Sequence, residues 1–294
     1  MKKFTNTLIV FIVITIALGF SKIKISKSDL GKEAYTDNKE VSPTNDTLTD
    51  IDSDRILQIP HSPSIVKKWI LVWNDEFNNK FVDEEKWNVV NRKESYNNEL
   101  QYYNKKNVTQ SEGYLKLIGK RETLEEKEYT SGLVDTRGKF TLQYGKIEVR
   151  AKNPFGKGIF PAIWLLPNNG TVVLPEIDIM EMVGSEPEVI YGASHYLENG
   201  NYERTFNKIP IANPQDFHVY TLIWNEKEVK WFIDDTLFHS TSKGIPQESM
   251  YLIMNLAIGG IWPGNPDRNT IFPSEFIIDY VRVYKSNEMN GGIR

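Results

Sequence analysis

Pro175-Glu-Ile-Asp-Ile-Met-Glu-Met-Val-Gly184 packs three acids into a short apolar stretch. On a regular strand side chains alternate, so Glu176 and Asp178 share a face and the next residue on that face is Met180, not Glu181. One extra residue, a β-bulge at Ile179-Met180 with Met180 displaced outward, brings Glu181 round to join them. Ile177, Ile179 and Met182 then back the strand on its other face, as a rigid site requires.

Like charges a few ångströms apart in a partly dry cleft cannot all ionise, so one of these acids holds a proton near neutral pH. Retaining glycoside hydrolysis needs that condition: one carboxylate attacks the anomeric carbon while a protonated partner ~5–5.5 Å away donates to the leaving oxygen. On this reading Glu176 is the nucleophile, Glu181 is the acid/base, and Asp178 hydrogen-bonds to the nucleophile. No cofactor is needed for that chemistry. The same oxygens also describe an exposed acidic strand face or a divalent-cation site.

Around this segment the periodicity is two, with no helical stripe of any length. In Lys146-Ile-Glu-Val-Arg-Ala151 apolar and charged residues alternate, and Leu115 and Leu117 alternate with Tyr114 and Lys116. Val229, Trp231 and Ile233 do the same before Asp234-Asp235, which reads as a hairpin turn. Short strands at turn-punctuated spacing predict an all-β sandwich of two packed antiparallel sheets over residues 69–286, followed by a tail over 287–294.

Residues 21–68 are rich in Lys, Asp, Ser, Thr and Asn, with Tyr35 as their only ring, and read as a disordered polar linker. Before them, Lys2 and Lys3 precede an apolar run from Leu8 to Phe20, and Ala17-Leu-Gly19 supplies small residues for a signal peptidase. Residues 1–20 therefore read as a signal peptide, or as an uncleaved membrane anchor, and the protein is expected outside the cell. A net charge of −4 with no basic block argues against nucleic acid. The absence of cysteine removes disulfides, thiolate metal sites, thiol catalysis and lipobox-type acylation. Seven Trp, 14 Tyr and 14 Phe supply rings for a β core or for stacking on sugar faces. A monomer acting on a polysaccharide is expected.

Glu176-Ile-Asp-Ile-Met-Glu181 resembles the signature of glycoside hydrolase family 16, in its bulged, laminarinase-like form. The similarity continues in order through Val72-Trp-Asn-Asp-Glu-Phe77, Asn98-Glu-Leu-Gln-Tyr-Tyr103, Tyr129-Thr-Ser-Gly132, Gly138-Lys-Phe140, Tyr144-Gly-Lys-Ile-Glu-Val-Arg150, Phe160-Pro-Ala-Ile-Trp-Leu-Leu166, Asn255-Leu-Ala-Ile-Gly-Gly-Ile-Trp-Pro-Gly264 and Asp279-Tyr-Val-Arg-Val-Tyr284. The resemblance implies a β-jelly-roll with a concave substrate cleft and retaining endo-hydrolysis of β-1,3-glucan, laminarin-like or mixed-linkage. It gives Glu176, Asp178 and Glu181 the roles that the charge argument gave.

The resemblance also implies supporting residues. Trp164, opposite in face to Ile163 and Leu165, stacks on a sugar if that face is the groove and is core if not. His195 is expected close to the acid/base Glu181. Asn98 and Glu99 border the glycone side, and Trp262 is a second candidate stacking ring. The family often carries a calcium ion on its convex face, and Glu76, Asp279 and the carbonyl of Gly113 match its ligands; an Arg or Lys partner for Asp279 is the other reading. Asp279 is expected on the face of Ile277, Val281 and Val283, a charge among apolar neighbours. Thr171-Val-Val-Leu-Pro175 departs from the family's Trp-Pro spacer, which leaves the glucan open. Agar- or carrageenan-type substrates, a cell-wall transglycosylase and a non-catalytic glucan-binding module remain alternatives.

Overall fold

A computed structural model of the chain describes residues 69–169 and 174–287. The expected signal or anchor, the linker, Thr171 to Val173 of the departing spacer and most of the tail lie outside the described residues.

Two large antiparallel sheets make up the fold. The first runs in the order β15 (Thr236–Thr241), β14 (Val229–Ile233), β13 (His218–Trp224), β8 (Gly145–Lys152), β17 (Ser274–Ser286), β5 (Tyr114–Gly119) and β4 (Val108–Ser111), with β1 (Trp69–Asp75) also paired to β17. The second runs β12 (Asn201–Pro210), β11 (Val189–Glu198), β10 (Glu176–Glu181), β9 (Ile159–Pro167), β16 (Met250–Ile258), β7 (Leu133–Asp135) and β2 (Asn88–Val89). A short parallel pair, β3 (Gln101–Tyr103) and β6 (Tyr129–Ser131), completes the set. This is the two-sheet sandwich the alternation predicts, in the jelly-roll form the resemblance implies.

The core forms where the alternating apolar residues of both sheets meet. Ile147, Val149 and Ala151 of β8, Leu115 and Leu117 of β5 and Val229, Trp231 and Ile233 of β14 are buried there, while their charged neighbours on β8 face out. From the second sheet come Ile163, Leu165, Ile177, Ile179, Met180, Leu252 and Met254. β16 is buried along its whole length: Leu252, Met254 and Leu256 face this core, and Tyr251 and Ile253 join Tyr103, Leu133 and Leu166 in a second apolar cluster on the other side. The Asp234-Asp235 turn joins β14 to β15 with φ of 47° and 67°, the left-handed pair that matches the twist of a two-residue hairpin.

The core holds the acidic strand through one side chain. Trp231 is fully buried, and its indole N–H donates across the sandwich to the carbonyl of Asp178 at 2.8 Å. A buried indole N–H needs an acceptor. Gly192 on β11 makes room for the ring: a Cβ there would lie 2.8 Å from Trp231 Cδ1 and 2.9 Å from Phe238 Cζ. Gly192→Ala is therefore expected to cost about 1–3 kcal/mol through overpacking, read as a lower denaturant midpoint at unchanged slope. A midpoint equal to wild type would mean that Trp231 is free to move.

Candidate active site

The bulge falls where the sequence puts it. On the β9 side Asp178 pairs with Trp164 and Met180 with Ile163, so Ile179 is the extra residue. On the β11 side Asp178 pairs with Ala193 and Glu181 with Tyr191, leaving Ile179 and Met180 opposite Gly192 alone. The direction of Met180 differs from the expectation. Both Ile179 and Met180 are buried in the core, because the inter-sheet space takes their apolar side chains, and Glu181 is what turns to the open face.

Cross-strand partners in a sheet share a face, so the pairings map the open side of the second sheet. Glu176 stands beside His195, which stands beside Arg204. Asp178 lies between Trp164 and Ala193, with Phe206 beyond. Glu181 lies between Ala162 and Tyr191, with Lys208 beyond. The acids thus form a strip along β10, flanked by Trp164 on one side and by His195 and Tyr191 on the other. Glu176 and Glu181 are partly accessible, whereas Asp178 is buried.

Crowding raises proton affinity along the strip. Burial pushes the Glu176 carboxyl well above the usual range, helped by the charges of Asp178 and Glu181 and by a hydrogen bond with Asp178. Glu181 is likewise pushed well up by burial and by the charge of Asp178, and Arg204 opposes the shift. Charge on Glu181 opposes charge on Glu176, so the two glutamates do not ionise independently.

His195 is displaced from its expected partner. Its Nε2 lies 3.0 Å from Asp178 Oδ2, and its ring pairs in register with Glu176 rather than Glu181. β10 and β11 run antiparallel, so the residue directly across from position 176 is His195, and the residue across from 181 is Tyr191. The other ring nitrogen, Nδ1, is 2.5 Å from the hydroxyl of Tyr202.

Trp164 faces the open side, partly accessible, with its indole N–H donated to Asn255 Oδ1 at 2.8 Å. Asn255 in turn donates to the hydroxyl of the buried Tyr103 at 3.0 Å, so the ring is held at its polar edge with its faces uncommitted by that bond. Trp262 meets Tyr191 edge-on at 4.9 Å and Phe160 at 5.4 Å, at the Glu181 end of the strip. Asn98 is exposed with a left-handed φ of 61°. Glu99 is pushed up to about 7 by burial, against the hydrogen bond that Gln101 gives it at 2.7 Å.

The calcium expectation meets arginines. Arg282 grips both oxygens of Glu76, at 2.9 Å through Nε and 2.8 Å through Nη2, and holds that carboxyl below its usual range. Arg150 pairs with Asp279. A bulge at Asp279 sets it with Ile277 on the outer face, whereas Val281 and Val283 turn inward to the core, so the charge is not among apolar neighbours as expected. Gly113 sits in the β4–β5 turn at φ 79°. Both carboxylates are already neutralised and do not fit a hard-cation site as they stand. Among the described residues the one group of three metal-ligating side chains within reach of one another is Glu176, Asp178 and His195, whose donor atoms lie within 4.8 Å.

Sequence reasoning missed Tyr202, Arg204, Asn255, Tyr103 and Arg92. Arg92 lies between the rings of Tyr96 and Tyr103, at 5.1 and 5.5 Å, with its buried Nε unpartnered. Asn255 was detectable as the polar residue within the apolar run of β16, while β12 carries polar residues on both faces and gives no apolar–polar alternation to read.

Comparison with known proteins agrees with this geometry. The family profile "Glycosyl hydrolases family 16" matches residues 97–282, and a profile described as "Beta-glucan synthesis-associated protein SKN1/KRE6/Sbg1" matches residues 3–173, ending before the acidic strand. The "Beta-glucanase" of Rhodothermus marinus is 37% identical over 265 residues, covering 79% of this chain and 88% of that protein. The laminarinase catalytic domain from Thermotoga maritima MSB8 is 39% identical with a TM-score of 0.68, covering 74% of this chain and 98% of the other. The endo-β-1,3-glucanase from Pyrococcus furiosus is 33% identical with a TM-score of 0.70, covering 75% and 95%. The bulged acidic strand, the two-sheet frame and these matches together place the chain in glycosyl hydrolase family 16.

Proposed function

We propose that this chain is an exported endo-glucanase that hydrolyses β-1,3-glucosidic bonds, in laminarin-like or mixed-linkage β-glucan, with retention of configuration. Three carboxylates brought to one face by the Ile179-Met180 bulge, with Glu176 and Glu181 both raised in proton affinity, carry this reading. Three of the relatives are named as a beta-glucanase, an endo-β-1,3-glucanase and a laminarinase.

In the first step Glu181 donates its proton to the glycosidic oxygen as the Glu176 carboxylate attacks the anomeric carbon. The aglycone leaves and a glycosyl ester forms on Glu176. In the second step the Glu181 carboxylate takes a proton from water, whose oxygen attacks the same carbon and releases Glu176. The order of roles along the strand follows the family resemblance. Asp178 orients the Glu176 carboxyl in the resting site, where the two are hydrogen-bonded, and the anchored Trp164 offers a ring face to the sugar beside the cut.

Incubating the protein with laminarin, lichenan, agarose and xyloglucan and following reducing ends tests the substrate class; release from laminarin or lichenan is expected, and silence on both would overturn it. NMR of the first product should show the β anomer, and an initial α anomer would rule out retention. Glu176→Gln should lower turnover roughly 10³-fold or more while laminari-oligosaccharide binding by calorimetry persists.

The acid role of Glu181 has a defined sign. Its raised folded-state pKa keeps the proton to higher pH than a free glutamate, and activity that needs this proton is present at lower pH and lost as pH rises through that pKa. Arg204 favours the charged form, so Arg204→Ala is expected to move the descending limb of the kcat/KM profile to higher pH. A limb that stays in place would separate Arg204 from Glu181.

A further inference from the structure

Tyr202 sits outside every motif of the acidic strand, on the edge strand β12, yet its hydroxyl reaches the chain of groups behind Glu176. Its oxygen is 2.5 Å from His195 Nδ1, and the two rings lie nearly parallel, 23° apart with centroids 5.8 Å apart. The other end of the imidazole is 3.0 Å from Asp178 Oδ2. That oxygen is buried and makes no well-aligned hydrogen bond, the His195 ring N–H included, although the imidazole stands within reach of it. Asp178 in turn is hydrogen-bonded to Glu176.

A neutral imidazole carries one proton, and the hydrogen bond at one nitrogen fixes what the other can do. A hydroxyl can donate or accept, whereas an ionised carboxylate can only accept. The consistent arrangement has Tyr202 O–H donating to Nδ1 and Nε2–H directed at Asp178. The reverse tautomer would set a bare Nε2 lone pair against a buried carboxylate oxygen.

We propose that Tyr202 is a positioning residue for the reaction, holding His195 in the Nε2–H tautomer so that the imidazole orients Asp178, and Asp178 in turn orients the Glu176 carboxyl. This rests on the proposed roles of Glu176 and Asp178. It extends the machinery from β10 through β11 to a group on the edge strand that never touches the reacting atoms.

Tyr202→Phe tests it, because Phe keeps the ring and its packing on His195 and removes only the hydroxyl. Nitrogen NMR of the wild-type protein should show His195 Nδ1 as the bare, hydrogen-bonded nitrogen and Nε2 as protonated; the Phe variant should show a mixture of tautomers. On a laminari-oligosaccharide, kcat should fall about tenfold, the scale of one lost hydrogen bond, with KM within about twofold. A wild-type ring protonated at Nδ1 would overturn the proposal, as would a Phe variant with wild-type kcat and tautomer, which is the result a packing role gives. The tautomer measurement needs no turnover, so a protein inactive on every glucan but showing the expected tautomer change would refute the proposed function and leave the Tyr202–His195 linkage standing.

Discussion

The site depends on one buried hydrogen bond, from the indole of Trp231 to the carbonyl of Asp178. A bulge interrupts the regular ladder around that residue, and a backbone carbonyl left without a partner inside the protein would cost about 1–3 kcal/mol. Trp231 supplies the donor from the opposite sheet, so the irregularity that turns Glu181 to the open face is tied to the core. Gly192 is part of the same construction. It is the single residue opposite the two of the bulge, and it has no side chain where the tryptophan must lie.

Firm backing matters because the strip it supports is electrostatically unfavourable. Glu176 and Glu181 both bind protons more tightly in the folded chain than in the unfolded one. Groups shifted in that direction contribute most to stability below their unfolded pKa and lose that contribution as pH rises through the folded value. Near neutrality the acids therefore strain the fold, and the apolar face formed by Ile177, Ile179, Met180 and Met182, all buried, offsets the strain. Arg204 relieves part of it at Glu181, and the imidazole of His195 stands against Asp178 in the middle of the strip.

What the sequence made legible follows period and chemistry. The alternation in β8, β5 and β14 foretold which residues face the core, and the misfit of three acids to a period of two foretold the bulge itself. The direction of Met180 was not legible, since a bulge can swing either of its residues out and the room on each side is a tertiary property. His195 was placed near the strip, but its partner depended on the antiparallel register of β10 and β11, which spacing alone does not give. Asp279 failed for the mirror-image reason: a second bulge, unmarked by any misfit of charge, moved it off the apolar face. Tyr202 and Arg204 were invisible because β12 is polar on both sides.

The two kinds of strand divide the work between rigidity and adjustment. β10 lies inside its sheet, paired on both flanks and anchored from below, so its carboxylates have little freedom to drift. β12 is an edge strand, paired on one flank only, and its cleft-facing Tyr202, Arg204, Phe206 and Lys208 are mostly exposed. Residues there can change without breaking a core, yet Tyr202 and Arg204 act on the imidazole and on a carboxylate of the inner strands. The carboxylates are thus held by buried geometry, while the groups that flank them on the open face come in part from a strand where substitution costs the fold least.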